Sequence, residues 1–468
     1  MERARIGGFI LVLLFPLAAW AQQSSGISGQ VKDVSGGVLP GVTVEAASPV
    51  LIEKVRTSVT DGEGRYRLVD LRPGTYVVTF SLAGFSTFKR DGVVLTAGFT
   101  AEIDAEMRVG SVTETVTVSG QSPLVDVHNV RGQTSVSDET LDTLPSGQRN
   151  MTMLQFLTPG FGTPTDVGGS GGIYGTGYGG ATFHGKPRNK LNFDNMRVNS
   201  WEGIGSGGYH TNPDAVEEIT LETSSGLAES SSSGTVINSV PKEGGNTFRG
   251  NLAFLFGNDS LQANNLSPEL VAAGFLAPGK VLSLWDVSGT LGGPIMKDRL
   301  WFFAAIRYFG NGLQRPNSYY NKTQGTPFYT PDLARGPGSR SEDWNSHVLR
   351  LTWQASPKNK VTAYADIQDN RSELPSSNSA AEAYYRWTFA PISLFQAGWT
   401  YPLTNRVLLE AGFSASVFNF PSYNLPGVSP NDISILDATT GFRYNSGMWF
   451  LLGLGTGGPR TSNRFGER

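Results

Sequence analysis

Residues 361–367 read VTAYADI, in which apolar and polar side chains alternate one by one. Along an extended strand this alternation puts positions 361, 363, 365 and 367 on one face and Thr362, Tyr364 and Asp366 on the other. Residues 407–417, VLLEAGFSASV, follow the same pattern. One face of each strand can lie in lipid and the other in water. The pattern therefore predicts antiparallel strands of a membrane-spanning β-barrel.

The composition narrows the class of protein. The chain has 468 residues, a formal net charge of -3, 58 Gly and no Cys. No apolar run is long enough for a membrane helix, whereas barrel strands need none. The charge gives no reason to expect a nucleic-acid partner. Without Cys the chain can form no disulfide, thiolate metal site or Cys nucleophile, and the many Gly predict turns and extended loops.

The first 21 residues predict a secretory signal peptide. Arg3 and Arg5 supply its positive end, residues 6–17 supply its apolar core, and Ala19 and Ala21 form a small-x-small cleavage site. The alternative is an N-terminal membrane anchor, for which the apolar run is short. We therefore expect an exported protein.

Residues 26–108 predict a small β-sandwich, because β-branched runs are separated by turn sequences such as residues 61–64, DGEG. The order of motifs, from residues 29–33, GQVKD, to residues 71–76, LRPGTY, resembles the carboxypeptidase regulatory-like domain. That family is a transthyretin-like sandwich, used as an accessory module without catalytic residues. The predicted strands are Ile27–Val31, Gly41–Ala46, Val55–Val59, Arg65–Val69, Gly74–Ser81 and Phe99–Met107.

Residues 109–122 form a linker that contains VTETVTVSG at positions 112–120. This polar, β-branched run resembles the TonB box, the extended segment that the periplasmic protein TonB captures as an added strand. The resemblance implies TonB, with its inner-membrane energy-coupling complex, as a partner. The alternative is an ordinary edge strand that leads into the next domain. The candidate box residues are Thr113, Glu114, Thr115, Val116, Thr117 and Val118.

Residues 123–245 resemble the plug domain of TonB-dependent receptors. Helices are predicted at Asp138–Thr143 and Met151–Leu157, and strands at Ile219–Thr223 and Thr235–Ser239. Where the family often carries an Asp-Gly dipeptide, this chain has Asp194-Asn195, and Asn still permits a left-handed turn. The resemblance rests on residues 141–150, LDTLPSGQRN; 154–160, LQFLTPG; 192–195, NFDN; 213–219, PDAVEEI; and 234–246, GTVINSVPKEGGN.

Three tyrosines of the plug are candidates for substrate contact. Tyr174 and Tyr178 lie in the Gly-rich run 168–180. This run is either a mobile plug loop whose rings stack on substrate or a linker without a contact role. Tyr209 lies beside His210 in a predicted loop, and we expect this pair to be solvated rather than a ligand.

Residues 246–468 resemble the first part of the barrel in the Oar-like branch of TonB-dependent receptors. The resemblance rests on residues 289–303, GTLGGPIMKDRLWFF, in which positions 292–298 predict a tight polar turn. Further short turns are predicted on the periplasmic side at 356–359 and 402–405. The alternative is a soluble sandwich whose aromatic residues fill a core.

Two other features of this region predict its placement in the membrane. Long polar segments, Gly310–Asp343 and Arg371–Ala381, are predicted to lie outside the cell. Aromatic residues near strand ends predict girdles that contact outer-membrane lipid. These aromatic residues are Trp301, Phe302, Phe303, Trp353, Trp387 and Trp399.

The barrel region is short for a transporter. Positions 246 to 468 provide 223 residues, enough for roughly six to eight strands with their loops. A transporter barrel of about 22 strands needs at least twice that length. An open sheet edge in lipid is not viable, and residues 461–468 are polar and charged. We therefore expect the chain to be a fragment of a longer receptor.

No catalytic or metal-binding pattern is evident in the sequence. The four His residues have no spacing that suits a metal, and neither a nucleophile elbow nor a phosphate-binding loop is present. We expect no enzyme activity, no metal and no cofactor. The His residues are His128, His184, His210 and His347.

The sequence as a whole predicts a mainly β protein with a signal peptide, a β-sandwich, an α+β plug and the first part of an antiparallel transmembrane barrel. The resemblance implies TonB-dependent active transport of a scarce substrate across the outer membrane of a Gram-negative cell. A siderophore, cobalamin, an oligosaccharide and a peptide all remain open, and the accessory sandwich favours larger polymers such as carbohydrate. The alternatives are an Oar-type surface binding or organisation protein without transport, and a secreted enzyme that carries the sandwich as an accessory.

Overall fold

The computed structural model describes a mainly β protein built from three units. These are a small sandwich, a mixed plug unit and a sheet of long antiparallel strands. This organisation confirms the predicted fold class. The described residues are 25–51, 54–110, 115–119, 133–143, 157–162, 182–184, 190–198, 209–223, 235–264, 266–274, 279–373, 378–404, 407–419, 422–429, 431–447 and 461–467.

The sandwich packs two sheets around an apolar core. Its strands are β1 (Ser25–Asp33), β2 (Thr43–Ala47), β3 (Val55–Val59), β4 (Arg65–Leu71), β5 (Gly74–Ser81), β6 (Thr87–Leu95), β7 (Thr100–Glu102), β8 (Ala105–Met107) and β9 (Thr115–Ser119). One sheet has the order β4-β1-β7, with β8 also on β1, and the other has the order β3-β2-β5-β6-β9. Alternate residues of β5, namely Tyr76, Val78 and Phe80, are fully buried between them. Burial of one such side chain contributes about 2 kcal/mol.

The sandwich differs from the prediction in two strands. The predicted strand Phe99–Met107 is wrong as a single element, because β7 and β8 are separate. Between them the Asp104 carboxylate accepts a hydrogen bond from the Gln30 amide at 2.7 Å, in place of a ladder partner. Strand β6 was not predicted, because its first five residues are all half-buried and show no alternation.

The plug unit contains a five-stranded mixed sheet. Its elements are β10 (Gln133–Ser137), α1 (Asp138–Thr143), β11 (Phe161–Gly162), β12 (Thr182–Phe183), β13 (Lys190–Phe193), β14 (Met196–Arg197), β15 (Val216–Glu222) and β16 (Val236–Pro241). The sheet order is β10-β15-β16-β13-β14, and β11 and β12 form a separate pair. A 3-10 turn, Pro213–Ala215, precedes β15. The predicted helix at 138–143 and both predicted strands are confirmed. The other predicted helix lies outside the described residues, except for its last residue.

The turn between β13 and β14 confirms the expectation for Asp194-Asn195. Both residues have positive φ, 49° and 61°, as a two-residue hairpin turn of type I′ requires. The Asn195 amide donates to the side-chain oxygen of Asn238 at 2.9 Å, which ties the turn to β16. The turn therefore directs the Asp194 side chain away from the plug sheet at a defined position.

The third unit is a nine-stranded antiparallel sheet. Its elements are β17 (Arg249–Gly257), a 3-10 turn (Asp259–Leu261), α2 (Pro268–Ala272), β18 (Val281–Met296), β19 (Leu300–Tyr319), β20 (Pro337–Ser356), β21 (Asn359–Glu373), β22 (Tyr385–Pro402), β23 (Leu408–Asn419), β24 (Ser422–Asn424), β25 (Ile435–Leu436), β26 (Arg443–Tyr444) and β27 (Thr461–Glu467). The order is β17-β18-β19-β20-β21-β22-β23-β27, with β24 also on β22. Strands β25 and β26 form a separate pair.

No helix within the described ranges is both long and apolar enough to cross a membrane.

The two faces of the long-stranded sheet differ in polarity. In β21, Tyr364 and Asp366 are buried and Ile367 is exposed, which confirms the alternation in residues 361–367. The same contrast runs across the neighbouring strands. Exposed apolar residues of the outer face are Leu252, Phe254, Phe256, Val287, Leu291, Ile306, Leu349, Trp353, Phe395, Leu409 and Phe413. Buried polar residues of the inner face are Asp286, Arg307, Glu342, Ser346, Arg350, Gln368 and Asn370.

The hairpins correct two of the expected connections. The predicted turn at positions 292–298 is wrong in extent, because β18 continues to Met296. Gly293 lies in the strand, where a Cβ would come within 2.2 Å of the Phe248 ring. The predicted outer loop Gly310–Asp343 is also too long, because positions 310–314 pair with β20 and leave a connection of residues 320–336. Likewise, β21 extends to Glu373.

Two of the aromatic residues expected at the lipid interface face inward instead. Trp301 and Phe303 are buried on the inner face, and the Trp301 ring nitrogen donates to the Asn246 side chain at 2.8 Å. Strand alternation explains this placement, since every second residue of β19 points toward the plug. Trp353 is exposed on the outer face.

The left-handed turn predicts a residue-specific effect. Replacing Asn195 with Val should cost about 1–2 kcal/mol locally, because a β-branched residue is strained at positive φ. Asn195→Gly is the matched control, because Gly adopts this conformation freely. Hydrogen–deuterium exchange over residues 190–198 should accelerate in the Val variant and stay near the parent rate in the Gly variant. Equal protection in both variants would show that the turn does not depend on residue 195.

Candidate functional site

The plug is held against the inner face of the long-stranded sheet by buried polar contacts and by a shared apolar core. The Tyr209 hydroxyl lies 2.9 Å from the Tyr364 hydroxyl and donates to the Asp366 carboxylate at 2.8 Å. The Phe193 ring packs against Tyr364 with ring centres 4.6 Å apart. Tyr209 is only 3% exposed. The expectation that Tyr209 is solvated is therefore wrong, because its hydroxyl satisfies two groups on β21.

Further hydrogen bonds extend this plug–sheet contact along neighbouring strands. The Asn212 side chain donates to the Ser346 hydroxyl at 3.1 Å. Gln368 donates to the His210 carbonyl oxygen at 2.6 Å. Gln396 donates to the Phe193 carbonyl oxygen at 3.1 Å. These bonds to buried plug groups explain why the inner face carries polar side chains.

A buried arginine joins the sheet to two carboxylates of the plug. Arg350 on β20 donates to Asp194 at 3.1 Å and to Glu243 at 2.8 Å. The exposed fractions of Arg350 and Glu243 are 5% and 6%. Burial opposes ionisation of Glu243, but Lys360, Arg350 and Arg72 together hold its pKa well below the ordinary value. Both partners of the central pair therefore stay charged.

The sandwich joins the same network of charges. Arg72, which follows β4, forms a close ion pair with Glu217 of the plug and lies 3.9 Å from Glu243. Lys360 of the long-stranded sheet lies 3.8 Å from Asp70 of the sandwich and also 3.8 Å from Glu243. We call this network the junction, because it links all three units. Its residues are Asp70, Arg72, Asp194, Glu217, Glu243, Arg350 and Lys360.

A polar cavity of about 150 Å³ opens at the junction. All three units line it, through Arg72 of the sandwich, Asn238 and Glu243 of the plug, and Lys360 and Glu410 of the sheet. Its size and lining suit several water molecules. Within the described part of the chain, no group of His, Asp and Glu residues is arranged to hold a metal ion.

A second contact between sandwich and plug centres on Glu218. Both of its carboxylate oxygens accept from the Ala97 amide, at 3.0 and 3.1 Å, and one also accepts a close hydrogen bond from Ser135. Gln133 donates to the Ala97 carbonyl oxygen at 2.7 Å. Burial raises the pKa of Glu218 to about 8, an effect that the Ala97 amide partly offsets and Glu217 reinforces. The buried carboxyl group therefore stays protonated to a higher pH than an exposed glutamate.

Part of the candidate TonB box forms strand β9. It pairs in parallel with β6, from Thr115 opposite Thr87 to Ser119 opposite Asp91. Strand β9 lies at the end of its sheet, and the Thr117 side chain is exposed. An edge strand is the form from which a partner strand can be added.

The remaining predicted site residues lie outside the described residues. These are Thr113 and Glu114 of the candidate box, Tyr174 and Tyr178 of the Gly-rich run, and Ala19 and Ala21 of the cleavage site.

The sequence reasoning did not single out the charged residues of the junction. Arg350 has one local signal, because a charge at an inward position of an alternating strand needs a partner in the interior. Glu217 and Glu218 were part of the motif PDAVEEI, but their partners Arg72 and Ala97 lie more than 100 positions earlier in the chain.

Comparison with known proteins finds one matching domain family and one related transporter. Residues 26–108 match the family model of the carboxypeptidase regulatory-like domain. Over 303 residues the chain is 28% identical to the TonB-dependent transporter Oar of Myxococcus xanthus, an alignment that covers 63% of this chain. The chain is a homologue of a TonB-dependent transporter. This homology confirms the predicted resemblance to TonB-dependent receptors and the predicted outer-membrane localisation. The aligned part spans 27% of the length of the Oar protein.

Two solved structures are similar to this TonB-dependent transporter homologue. The outer membrane transporter YddB from Escherichia coli has a TM-score of 0.46 and 13% identity, covering 63% of this chain and 40% of that chain. A mutant of the ferric enterobactin receptor PfeA from Pseudomonas aeruginosa, in complex with enterobactin, has a TM-score of 0.44 and 15% identity. That alignment covers 68% of this chain and 45% of that receptor.

The Glu218 contact predicts that docking of the sandwich on the plug depends on pH. Burial raises the pKa of the Glu218 carboxyl from 4.5 to about 8. If the sandwich supplies that burial, docking is strongest below pH 4.5 and weakens as the pH rises through about 8. Glu218→Gln should remove this dependence, because the amide carries no ionisable proton. Spin labels at Glu63→Cys and Glu139→Cys, introduced into the Cys-free chain, report the distance between the units.

The distance distribution of the labelled parent should broaden between pH 5 and pH 9, and that of the Glu218→Gln variant should stay constant. The same broadening in both proteins would assign the pH dependence to another group.

Proposed function

We propose that this protein takes part in TonB-dependent uptake of a scarce substrate across the outer membrane. One observation carries the proposal. A small mixed α/β unit is bonded to the polar inner face of a sheet whose outer face exposes apolar side chains. The outer face suits lipid, and the unit on the inner face lies where it can obstruct a lumen. The homology with a TonB-dependent transporter supports the same activity.

In the proposed mechanism the plug contacts are broken during transport. Contacts such as Asn212 to Ser346 and Gln396 to Phe193 are hydrogen bonds. Each contributes only about 0.5–1.5 kcal/mol to stability, because water can replace either partner. A pull on the linker would therefore release them in succession. The pairs made by Arg350 resist more strongly, because separation leaves buried charges that must be hydrated. Energy from the inner membrane is needed for that step.

Substrate capture is proposed to occur at the outer ends of the long strands. The connection 320–336 and residues 431–447 meet there around Glu382, which accepts hydrogen bonds from the Asn321 and Asn445 amides at 3.0 and 3.2 Å. Aromatic rings cluster beside this contact, with ring centres 4.8 Å apart for Tyr329 and Phe442, and 5.6 Å apart for Tyr329 and Tyr444. Phe328, next in the chain, is 71% exposed. An aromatic surface of this kind suits ring-containing ligands, including siderophores and carbohydrates.

Dependence on the proton gradient distinguishes this proposal from a surface-organising role without transport. A binder of that kind would act equally with and without a proton gradient. The proposed receptor binds TonB, and its uptake stops when the gradient collapses.

The proposed TonB box predicts a specific loss of binding. Val116→Pro removes one backbone donor and fixes φ in β9, so capture by the purified C-terminal domain of TonB should weaken at least tenfold, or about 1.4 kcal/mol. Val116→Ala keeps the donor and is the matched control. Affinities are measured by fluorescence anisotropy with the detergent-solubilised chain. Unchanged capture by the Pro variant would remove residues 113–118 from the proposal.

A further inference from the structure

Strand β9 is the last strand of one sheet of the sandwich. All five of its residues pair in register with β6. The segment that leads into it is also bonded to the sandwich. The Ser86 amide donates to the Arg108 carbonyl oxygen at 2.8 Å, and the Gly110 amide donates to the Gly84 carbonyl oxygen at 3.1 Å. The chain is therefore bonded to the sandwich at residues 108–110 and again at residues 115–119.

The opposite edge of β9 pairs with no strand in the described part of the chain. Among the described strands, β6 is the sole neighbour of β9, and the sheet order ends there. Successive residues of a strand direct their backbone groups to opposite edges. About half of the amide and carbonyl groups of β9 therefore point away from β6 and can pair with another chain.

We propose that the energy-coupling partner adds to this open edge while β9 stays paired with β6, so that the sandwich sheet gains a sixth strand. The inference rests on the proposed function, which assigns β9 to capture by TonB. A strand has two edges, and a captor strand needs only one of them. Release of β9 would break its pairing with β6 at five positions. The edge exposed in this way is not needed by TonB, because the opposite edge already accepts a strand.

The consequence is a role for the sandwich in transmitting force. A pulling force along β9 is distributed over all the hydrogen bonds between β9 and β6. The force is therefore transmitted to the sandwich. The sandwich is bonded to the plug through Arg72 with Glu217 and through Ala97 with Glu218. The pull therefore reaches the plug sheet at β15, which carries both glutamates.

A disulfide that locks β9 to β6 tests this inference. Lys89 and Thr117 are directly opposite in the register. Adjacent strands lie about 4.8 Å apart, within the range of Cα separations that a disulfide can bridge. The chain has no Cys of its own, so Lys89→Cys with Thr117→Cys forms a unique pair. The two single variants control for loss of either side chain, and dithiothreitol reverses the lock.

The oxidised double variant should bind the C-terminal domain of TonB with a Kd within twofold of its reduced form. A loss of tenfold or more on oxidation, restored by dithiothreitol, would mean that β9 must leave β6, and would overturn the inference. Failure of the disulfide to form under oxidant would overturn it as well, because the two strands would not be paired. In both cases capture by the reduced protein leaves the proposed function intact. Absence of capture by the unmodified chain would refute the proposed function, and this inference with it.

Discussion

The burial of Arg350 is the constraint on which the relative placement of the units depends. A guanidinium that is 5% exposed must keep its partners, because an isolated buried charge costs several kcal/mol. Its partners, Asp194 and Glu243, belong to the plug, and Glu243 in turn faces Arg72 of the sandwich and Lys360 of the sheet. Displacement of any one unit removes charge partners from the other two. The junction therefore couples all three units, in addition to the apolar core that plug and sheet share.

A second constraint is the two-sided environment of the long-stranded sheet. Its outer face exposes apolar side chains. The polar side chains of the same strands therefore point to the inner face, where they need hydrogen-bond partners. The plug provides them, through the Tyr209 hydroxyl for Asp366 and the Asn212 amide for Ser346. Plug and sheet thus supply hydrogen-bond partners to each other. Water can replace these hydrogen bonds when the plug is displaced. The apolar contacts of the same interface, such as Phe193 with Tyr364, lose their burial in that step, which adds to the cost.

Local patterns were predicted well from the sequence, and long-range contacts were not. The alternation in residues 361–367 and the left-handed turn at Asp194-Asn195 depend on neighbouring residues alone, and both are confirmed. Strand β19 extends beyond Gly310 because partners on β18 and β20 outweigh its local Gly and Pro content. The junction joins positions as distant as Arg72 and Glu217, and no period in one sequence indicates such a pair. Tyr209 was misjudged for the same reason, because its partner Asp366 lies on another unit.

The measurement that tests the coupling most directly is hydrogen–deuterium exchange of the parent chain and of Arg350→Met. Met keeps much of the side-chain volume but removes the cation that Asp194 and Glu243 share, a loss expected to cost up to about 3–5 kcal/mol. Exchange should be faster at residues 190–198 and 235–247 of the plug and at 65–74 of the sandwich. Exchange at residues 87–91 of β6, which pair with positions 78–80 of β5 and with β9, should stay unchanged. Undiminished protection of all three segments would contradict the claim that the junction holds the units together.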